Sequence, residues 1–373
     1  MAIEIVPQAP EWAPAVAAFN QRLKSGGSEW GWYTTHEPDW LAPRPGQGVW
    51  REYYLAVENG ETVRGAFALK PQPFWIGGKL EVVADWQGPV SEGIVDPRYA
   101  ALGLRLFREM QKLRPRMFSW GHGGYDREMP RMLRSLGFLM HDTPFCLRVL
   151  KPARFLRMNG YLRDRASRRL ALDLLAATGL GWAGLKALHA GLGLASRFGP
   201  RAQAEVVESF GGWADELWER ARDHYRALAL RDSASLNALL PREGWPHAIR
   251  LKLTRRGELL GWIAVMDREQ GSDPRFGALR VGLLLDYFAP PAHAVAVIRA
   301  GAELLAERGV DMIFANQSHP DWVRALRSNG FLVLPRRRLF AASKPLAQVL
   351  EPFGEVERGL FLTNLDGHGP MGL

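Results

Sequence analysis

The sequence predicts an α/β (α+β) protein made of two copies of one domain joined by a helical connector, and three observations lead there. LRSLGF at 133–138 returns as LRSNGF at 326–331, 193 residues later. Around both strings the same order of apolar patterns recurs at offsets of 193 to 197, which duplication explains and chance does not. The chain is also long enough for two domains. It has 373 residues, 47% hydrophobic and 23% charged, a composition that can bury real cores.

Each copy opens on a strand and a helix: IEIV with EWAPAVAAFNQRL (3–23), and EVVESF with WADELWERARDHYRAL (205–228). Hairpins follow in YYLAVENGETVRGAFAL (53–69) and AIRLKLTRRGELLGWIAVM (248–266), where apolar and polar residues alternate around turns at Gly60 and Gly257. KLEVVADW (79–86) and LRVGLLLDYF (279–288) add β-rich runs. Helical patterns come next, AALGLRLFREMQKL (100–113) and AVAVIRAGAELLAERG (294–309), then the short apolar runs MFSW (117–120) and DMIFAN (311–316), read as buried strands. The last helix of each copy carries the repeated string. Leu133 and Leu326 lie on its apolar face. Gly137 and Gly330 sit just past its end, where a left-handed turn favours glycine, and Phe138 and Phe331 lead into the closing strand.

This order resembles the GNAT superfamily of acyl-CoA N-acyltransferases arranged in tandem, over 1–150 and 201–345, with 151–200 as connector and 346–373 as a tail holding a strand. The resemblance implies two GNAT-like domains, each a mixed, mostly antiparallel sheet flanked by helices. It also implies acetyl-CoA or another acyl-CoA as co-substrate, entering where the fourth and fifth strands splay, and acyl transfer to an amine or hydroxyl. The implied pyrophosphate loop of the first copy is VDPRYAALGLRLF (95–107), comprising Val95, Arg98, Tyr99, Ala100, Ala101, Leu102 and Gly103. Ala100 and Ala101 stand where that pattern has Arg and Gly, and Arg105 replaces its last Gly. The second copy's FAPPAHAVAVIRAG (288–301) has no glycine in the turn, so the first copy fits CoA better. Many family members protonate the leaving thiolate with a Tyr four residues before the helix-end Gly; Leu133 and Leu326 hold that place here. A more distant similarity to Fem-type transferases implies an aminoacyl-tRNA donor instead, and a catalytically silent tandem that binds a ligand or partner is the third reading.

Acyl transfer to an amine needs a base and a stabiliser for the oxyanion. ADWQGPVSEG (84–93) offers Asp85 and Glu92 at a strand end, or simply a polar loop. SWGHGGYDRE (119–128) offers His122 and Tyr125 among glycines, or a helix cap. In the second copy, Asp286 ends one strand, and Asn316, Ser318 and His319 end its neighbour. They form either one polar cleft or an N-cap by Ser318 beside a surface His. SEWGWYTTHEPDW (28–40) gathers Trp30, Trp32, Tyr33 and Trp40, aromatic faces that suit a sugar ring or apolar chain of a glycan or envelope-precursor acceptor, or a plug over the core.

Other chemistries find no support. Nine His without HExxH spacing and one Cys give no metal site, and neither a Walker loop nor a GxSxG elbow is present. One Cys, no signal-like N-terminus and no membrane-length apolar run predict a cytoplasmic protein. The net charge of +9 is uneven: residues 151–169 hold seven basic residues and one acidic. Apolar sequence with Trp182 follows, so 151–198 reads as an interdomain brace or as an anchor at an anionic membrane surface at the inner face, with tRNA a third anionic partner.

Overall fold

The structure is a computed structural model. It describes residues 2–121, 125–163, 166–179, 183, 184, 187, 189, 191, 201–269 and 277–367. The first copy contains β1 (Ile3–Pro7), α1 (Ala13–Ser25), β2 (Glu52–Glu58), β3 (Thr62–Ile76), β4 (Lys79–Ser91), α2 (Leu102–Leu113), β5 (Met117–Trp120), α3 (Glu128–Ser135) and β6 (Leu139–Val149). The connector supplies α4 (Pro152–Met158) and α5 (Ala166–Ala177). In the second copy come β7 (Gln203–Val207), α6 (Gly212–Ala221), β8 (Ala227–Ala229), α7 (Ser233–Leu239), β9 (Ile249–Arg255), β10 (Glu258–Glu269), β11 (Arg280–Phe288), α8 (Ala294–Glu307), β12 (Met312–Asn316), α9 (Pro320–Ser328) and β13 (Leu332–Ala342). The tail adds α10 (Lys344–Val349), α11 (Phe353–Val356) and β14 (Leu360–Phe361). The expected helix over 213–228 ends earlier, at Ala221, and its last residues form β8.

The turn glycines behave as their positions require. Gly60 and Gly257 have φ of +77° and +82° in the hairpins, and Gly137 and Gly330 have +76° and +81° after the last helices. Leu133 and Leu326 are fully buried.

Two compact units form, and they do not follow the boundaries expected from sequence. Unit 1 is Met1–His141 with Ala234–Gly244 and Leu339–Phe353. Its strands run β1-β2-β3-β4 antiparallel, then β5 parallel to β4, then the end of β13 antiparallel to β5, with Phe340 opposite Trp120. Unit 2 is Asp142–Ser233, Trp245–Arg338 and Gly354–Leu373. Its strands run β7-β9-β10-β11 antiparallel, β12 parallel to β11, and β6 antiparallel to β12. Each sheet is therefore completed by the closing strand of the other copy. The pattern of a strand shows which face is buried but not which partner it finds, so this exchange is invisible in the sequence. The unit 1 sheet has two cores: Phe67, Trp86, Leu106, Phe107 and Leu133 on the α2 face, and Val16, Phe19, Leu55, Val63 and Ala68 on the α1 face.

Candidate active site

In unit 1, β4 and β5 are matched at only two pairs, Ala84 with Met117 and Asp85 with Phe118. Beyond Asp85, β4 runs on to Ser91 paired with β3 alone, so the two strands part at Asp85. A one-residue bulge opposite Ala66–Ala68 follows, with Gly88 at φ +84°. Trp32 closes over it, with its ring 3.4 Å from where a Cβ on Gly88 would lie. The two-residue period of β3 and β4 places Lys70, Gln72, Asp85 and Gln87 on one face, Lys70 directly opposite Asp85, and all four are buried. Gln87 Nε2 donates to Asp85 at 3.0 Å. Both polar ends of the Gln72 amide, and the Ser119 hydroxyl on β5, have no hydrogen-bond partner among the described residues. A buried polar group left unpaired costs about 1–3 kcal/mol, so such groups beside parted strands are equipped to receive a polar substrate.

The turn after β4 is built around charge. Glu92 is buried and holds two guanidiniums, Arg22 at 2.9 Å and Arg64 at 3.0 Å. Arg64 also bonds Glu58, whose carboxylate accepts from the Tyr99 hydroxyl at 3.1 Å. Glu92 thus braces α1 and β3 against the turn, with both oxygens occupied, and this geometry corrects its reading as a base. Val95 packs on Gly26, and Tyr99 and Leu102 are buried. Arg98 forks back onto Asp96, holding that carboxyl below its usual range. Ala100 and Ala101 lead into α2, whose first turn, including Leu102 and Gly103, has no side-chain cap. The amides of an uncapped first turn can receive an anion.

The remaining first-copy residues are scattered. His122 lies outside the described residues. Tyr125 is half-buried, with the Arg134 guanidinium 5.7 Å from its ring centre. Of the aromatic stretch, Trp32 is buried, its Nε1 donating to Gln8 at 2.9 Å, whereas Trp30 is 68% exposed and Tyr33 lies at the surface.

Unit 2 repeats the parting of strands and then fills it. Pairing of β11 with β12 stops at Leu283–Phe314, and β11 bulges at Leu285. The tail bonds both strands there. Asn364 Nδ2 donates to the Leu284 carbonyl at 3.4 Å, and Asn316 donates to the Asn364 side-chain oxygen. Ser318 donates to the Leu360 carbonyl at 2.7 Å and accepts from the Leu362 amide at 2.8 Å. The Thr363 hydroxyl donates to Asp286 at 2.8 Å. Beneath it Arg231, fully buried, pairs with Asp286 at 3.2 Å and Asp366 at 2.7 Å. Burial pushes the Asp286 carboxyl up to about 6; Arg231 opposes the rise and Asp366 adds to it. Asn316, Ser318 and Asp286 are therefore engaged by the chain's own tail rather than facing an open cleft.

His319 makes its hydrogen bonds within its own loop. It begins α9, with Nδ1 accepting from the Asp321 amide at 3.2 Å, and burial brings its pKa down to about 4. A neutral ring with Nδ1 as acceptor carries its proton on Nε2. The ring borders a cavity of about 400 Å³ lined also by His224, Arg226, Asp321, Glu355, Arg358 and Gly359. Sequence reasoning missed Arg231, Thr363, Lys70 and Gln72. The first two have no local signal, whereas Lys70 and Gln72 interrupt an apolar strand with KPQP. Among the described residues no group of three or more His, Cys, Asp or Glu could hold a metal, and no helix is long and apolar enough to cross a membrane.

Parted parallel strands in each sheet, followed by a turn and a helix, invite comparison with solved structures. Saccharomyces cerevisiae N-myristoyltransferase with bound myristoyl-CoA aligns at a TM-score of 0.53 and 11% identity, over 91% of this chain and 78% of that one. The same enzyme with myristoyl-CoA and inhibitors gives 0.52. A probable N-acyltransferase from Enterococcus faecalis V583 gives 0.51 at 9% identity, over 94% of this chain and 74% of that one. The fold is similar to that of these N-acyltransferases. No family model matches the sequence, and no curated protein matches it. Within this fold, the parted strands of unit 1 are the feature that bears on chemistry.

Proposed function

We propose that the protein moves an acyl group from an acyl-CoA to an amine, or a hydroxyl, of a small-molecule or glycan acceptor, and that it does so in unit 1. The contrast between the two clefts supports this reading: Leu360–Asp366 fills the gap in unit 2, whereas β4 and β5 part at a buried carboxylate in unit 1. The two N-myristoyltransferase structures that this chain resembles hold bound myristoyl-CoA.

When bound, the thioester supplies the electrophilic carbonyl. The start of α2 holds the pyrophosphate, and Gln72 orients the polar group of the acceptor. Asp85 takes the proton of the attacking amine, directly or through water, as the carbon–nitrogen bond forms and the carbon–sulfur bond breaks. The thiolate takes its proton from water, because Leu133 has none to give. Trp32 roofs the site and keeps bulk solvent off Asp85.

Thermal-shift titration with acetyl-CoA and longer acyl-CoAs tests the donor. Stabilisation is expected, and Gly103→Glu, which puts negative charge at the start of α2, weakens it. No shift with any acyl-CoA up to millimolar concentration removes CoA as donor, and salt-sensitive binding of charged tRNA would promote the Fem-type reading instead. For the base, Asp85→Asn lowers kcat by roughly 10²–10⁴-fold while acyl-CoA still binds.

A further inference from the structure

Unit 2 holds a cavity that the chemistry proposed for unit 1 does not use. Its volume of about 400 Å³ is in the range that takes a small molecule. Three chain segments meet around it. Parallel pairing of β8 with β14, Ala227 opposite Leu360, sets Arg226 beside Gly359, and the Arg226 amide donates to the Gly359 carbonyl at 3.0 Å. The approach is close, for a Cβ on Gly359 would lie 2.6 Å from Arg226 Cγ. Ser318 bonds Leu360 and so brings the start of α9 to the same place. Arg226, Arg358 and His319 thus line one cavity from three segments.

The lining is rich in unused donors. Among the described residues, no hydrogen bond or ion pair engages the guanidinium of Arg226 or of Arg358. His319 is 4% exposed, and its ring is held against Tyr225 with 5.1 Å between ring centres. The Asp321 amide takes its Nδ1, which leaves the Nε2–H without a partner among the described residues. Two carboxylates line the cavity as well. Asp321 is paired with Arg324 and is thereby balanced, whereas Glu355 is exposed and unpaired among the described residues. Two free guanidiniums therefore stand against one free carboxylate, and the excess is positive.

We propose that this cavity binds a small molecule through a phosphate group held by Arg226, Arg358 and the His319 Nε2–H. All three are donors there and none accepts, so the group they hold must be an acceptor. A phosphate presents several oxygens and its negative charge to donors arriving from separate segments, whereas a carboxylate presents two oxygens in one plane. The volume exceeds that of one phosphate, so the ligand has an organic body, and Glu355 stands where it can accept from a hydroxyl or amine on that body.

Calorimetric titration of the full chain with glycerol 3-phosphate at constant ionic strength tests the proposal. It uses no CoA, so its failure leaves the reading of unit 1 untouched. One saturable site is expected, and glycerate, which carries a carboxylate in place of the phosphate, binds at least about tenfold more weakly. Arg226→Gln with Arg358→Gln lowers the affinity for glycerol 3-phosphate at least about tenfold. Glu355→Gln removes the opposing charge and raises that affinity roughly two- to fivefold. All three side chains are exposed, and an unchanged melting profile without ligand confirms that the variants fold. No saturable binding up to tens of millimolar, glycerate binding as tightly, or an affinity indifferent to the arginine pair overturns the proposal. So does weaker binding in Glu355→Gln.

Discussion

Arg231→Met should undo the seat of the tail in unit 2. The guanidinium is the one cation paired with two buried carboxylates among the described residues, 2.7 Å from Asp366 and 3.2 Å from Asp286, and all three side chains are at most 4% exposed. Met fills most of the volume, so the loss is electrostatic: two carboxylates left in a dry site with no cation. Breaking a buried pair by removing one partner costs about 3–5 kcal/mol. If that cost falls on tail docking, exchange of the Leu362 and Thr363 amides should quicken by roughly two to four orders of magnitude, because their acceptors are Ser318 and Asp366. Acid should relieve the defect. The folded Asp286 carboxyl already lies near 6, above its unfolded value, so the stability its protonation contributes is present at low pH and is lost as pH rises through 6. Without Arg231 that window moves higher, and the variant's deficit should be larger at pH 8 than at pH 5. Hydrogen exchange followed by mass spectrometry on peptides spanning 360–367 reads this directly. Unchanged protection at pH 8, or a deficit the same at both pH values, would refute the reasoning.

Other expectations follow from the same geometry. Glu92→Ala takes one partner from Arg22 and from Arg64, which keep the Val63 carbonyl and Glu58, and should lower the stability of unit 1 by about 1–3 kcal/mol in urea titration, while Glu92→Gln costs less because its amide oxygen still accepts. Gly93→Ala puts a Cβ 2.4 Å from the Tyr99 carbonyl oxygen and should cost about 1–3 kcal/mol, read as a lower melting temperature. Burial holds both His36 and His319 near pKa 4, so each favours the fold above its unfolded value and loses that contribution as pH falls from about 6.5 to about 4. Replacing both by Gln should flatten the melting-temperature profile over that interval.

Much of this fold is legible in local sequence. Alternation around Gly60 and Gly257 places the hairpins, and the Gly-Phe corners at 137–138 and 330–331 place the last helix and closing strand of each copy, because backbone sterics and the period of two act over a few residues. What escaped is non-local. Nothing in FLM or FLVL says that each closing strand joins the other copy's sheet. Nothing in ALRDS says that Arg231 is buried, since its reasons, Asp286 and Asp366, lie 55 and 135 residues away. In the candidate site, Asp85 was drawn from an expected strand end although β4 runs on past it to Ser91, and Gln72 and Lys70 read as a polar interruption until the register of β3 on β4 put them on its face.

The exchanged strands also set a timetable for synthesis. The β5 edge of the first sheet is closed by residues 340–342, about 220 residues further along the chain. At the usual pace of translation those residues emerge roughly ten to forty seconds later. Throughout that interval the nascent first copy presents MFSW as an apolar strand edge with no mate, the kind of edge that invites wrong pairing. For the same reason, a gene fragment encoding residues 1–150 alone should yield a chain that pairs its open β5 edge with another copy or precipitates, and supplying residues 201–373, which include β13, on a second polypeptide should rescue its solubility.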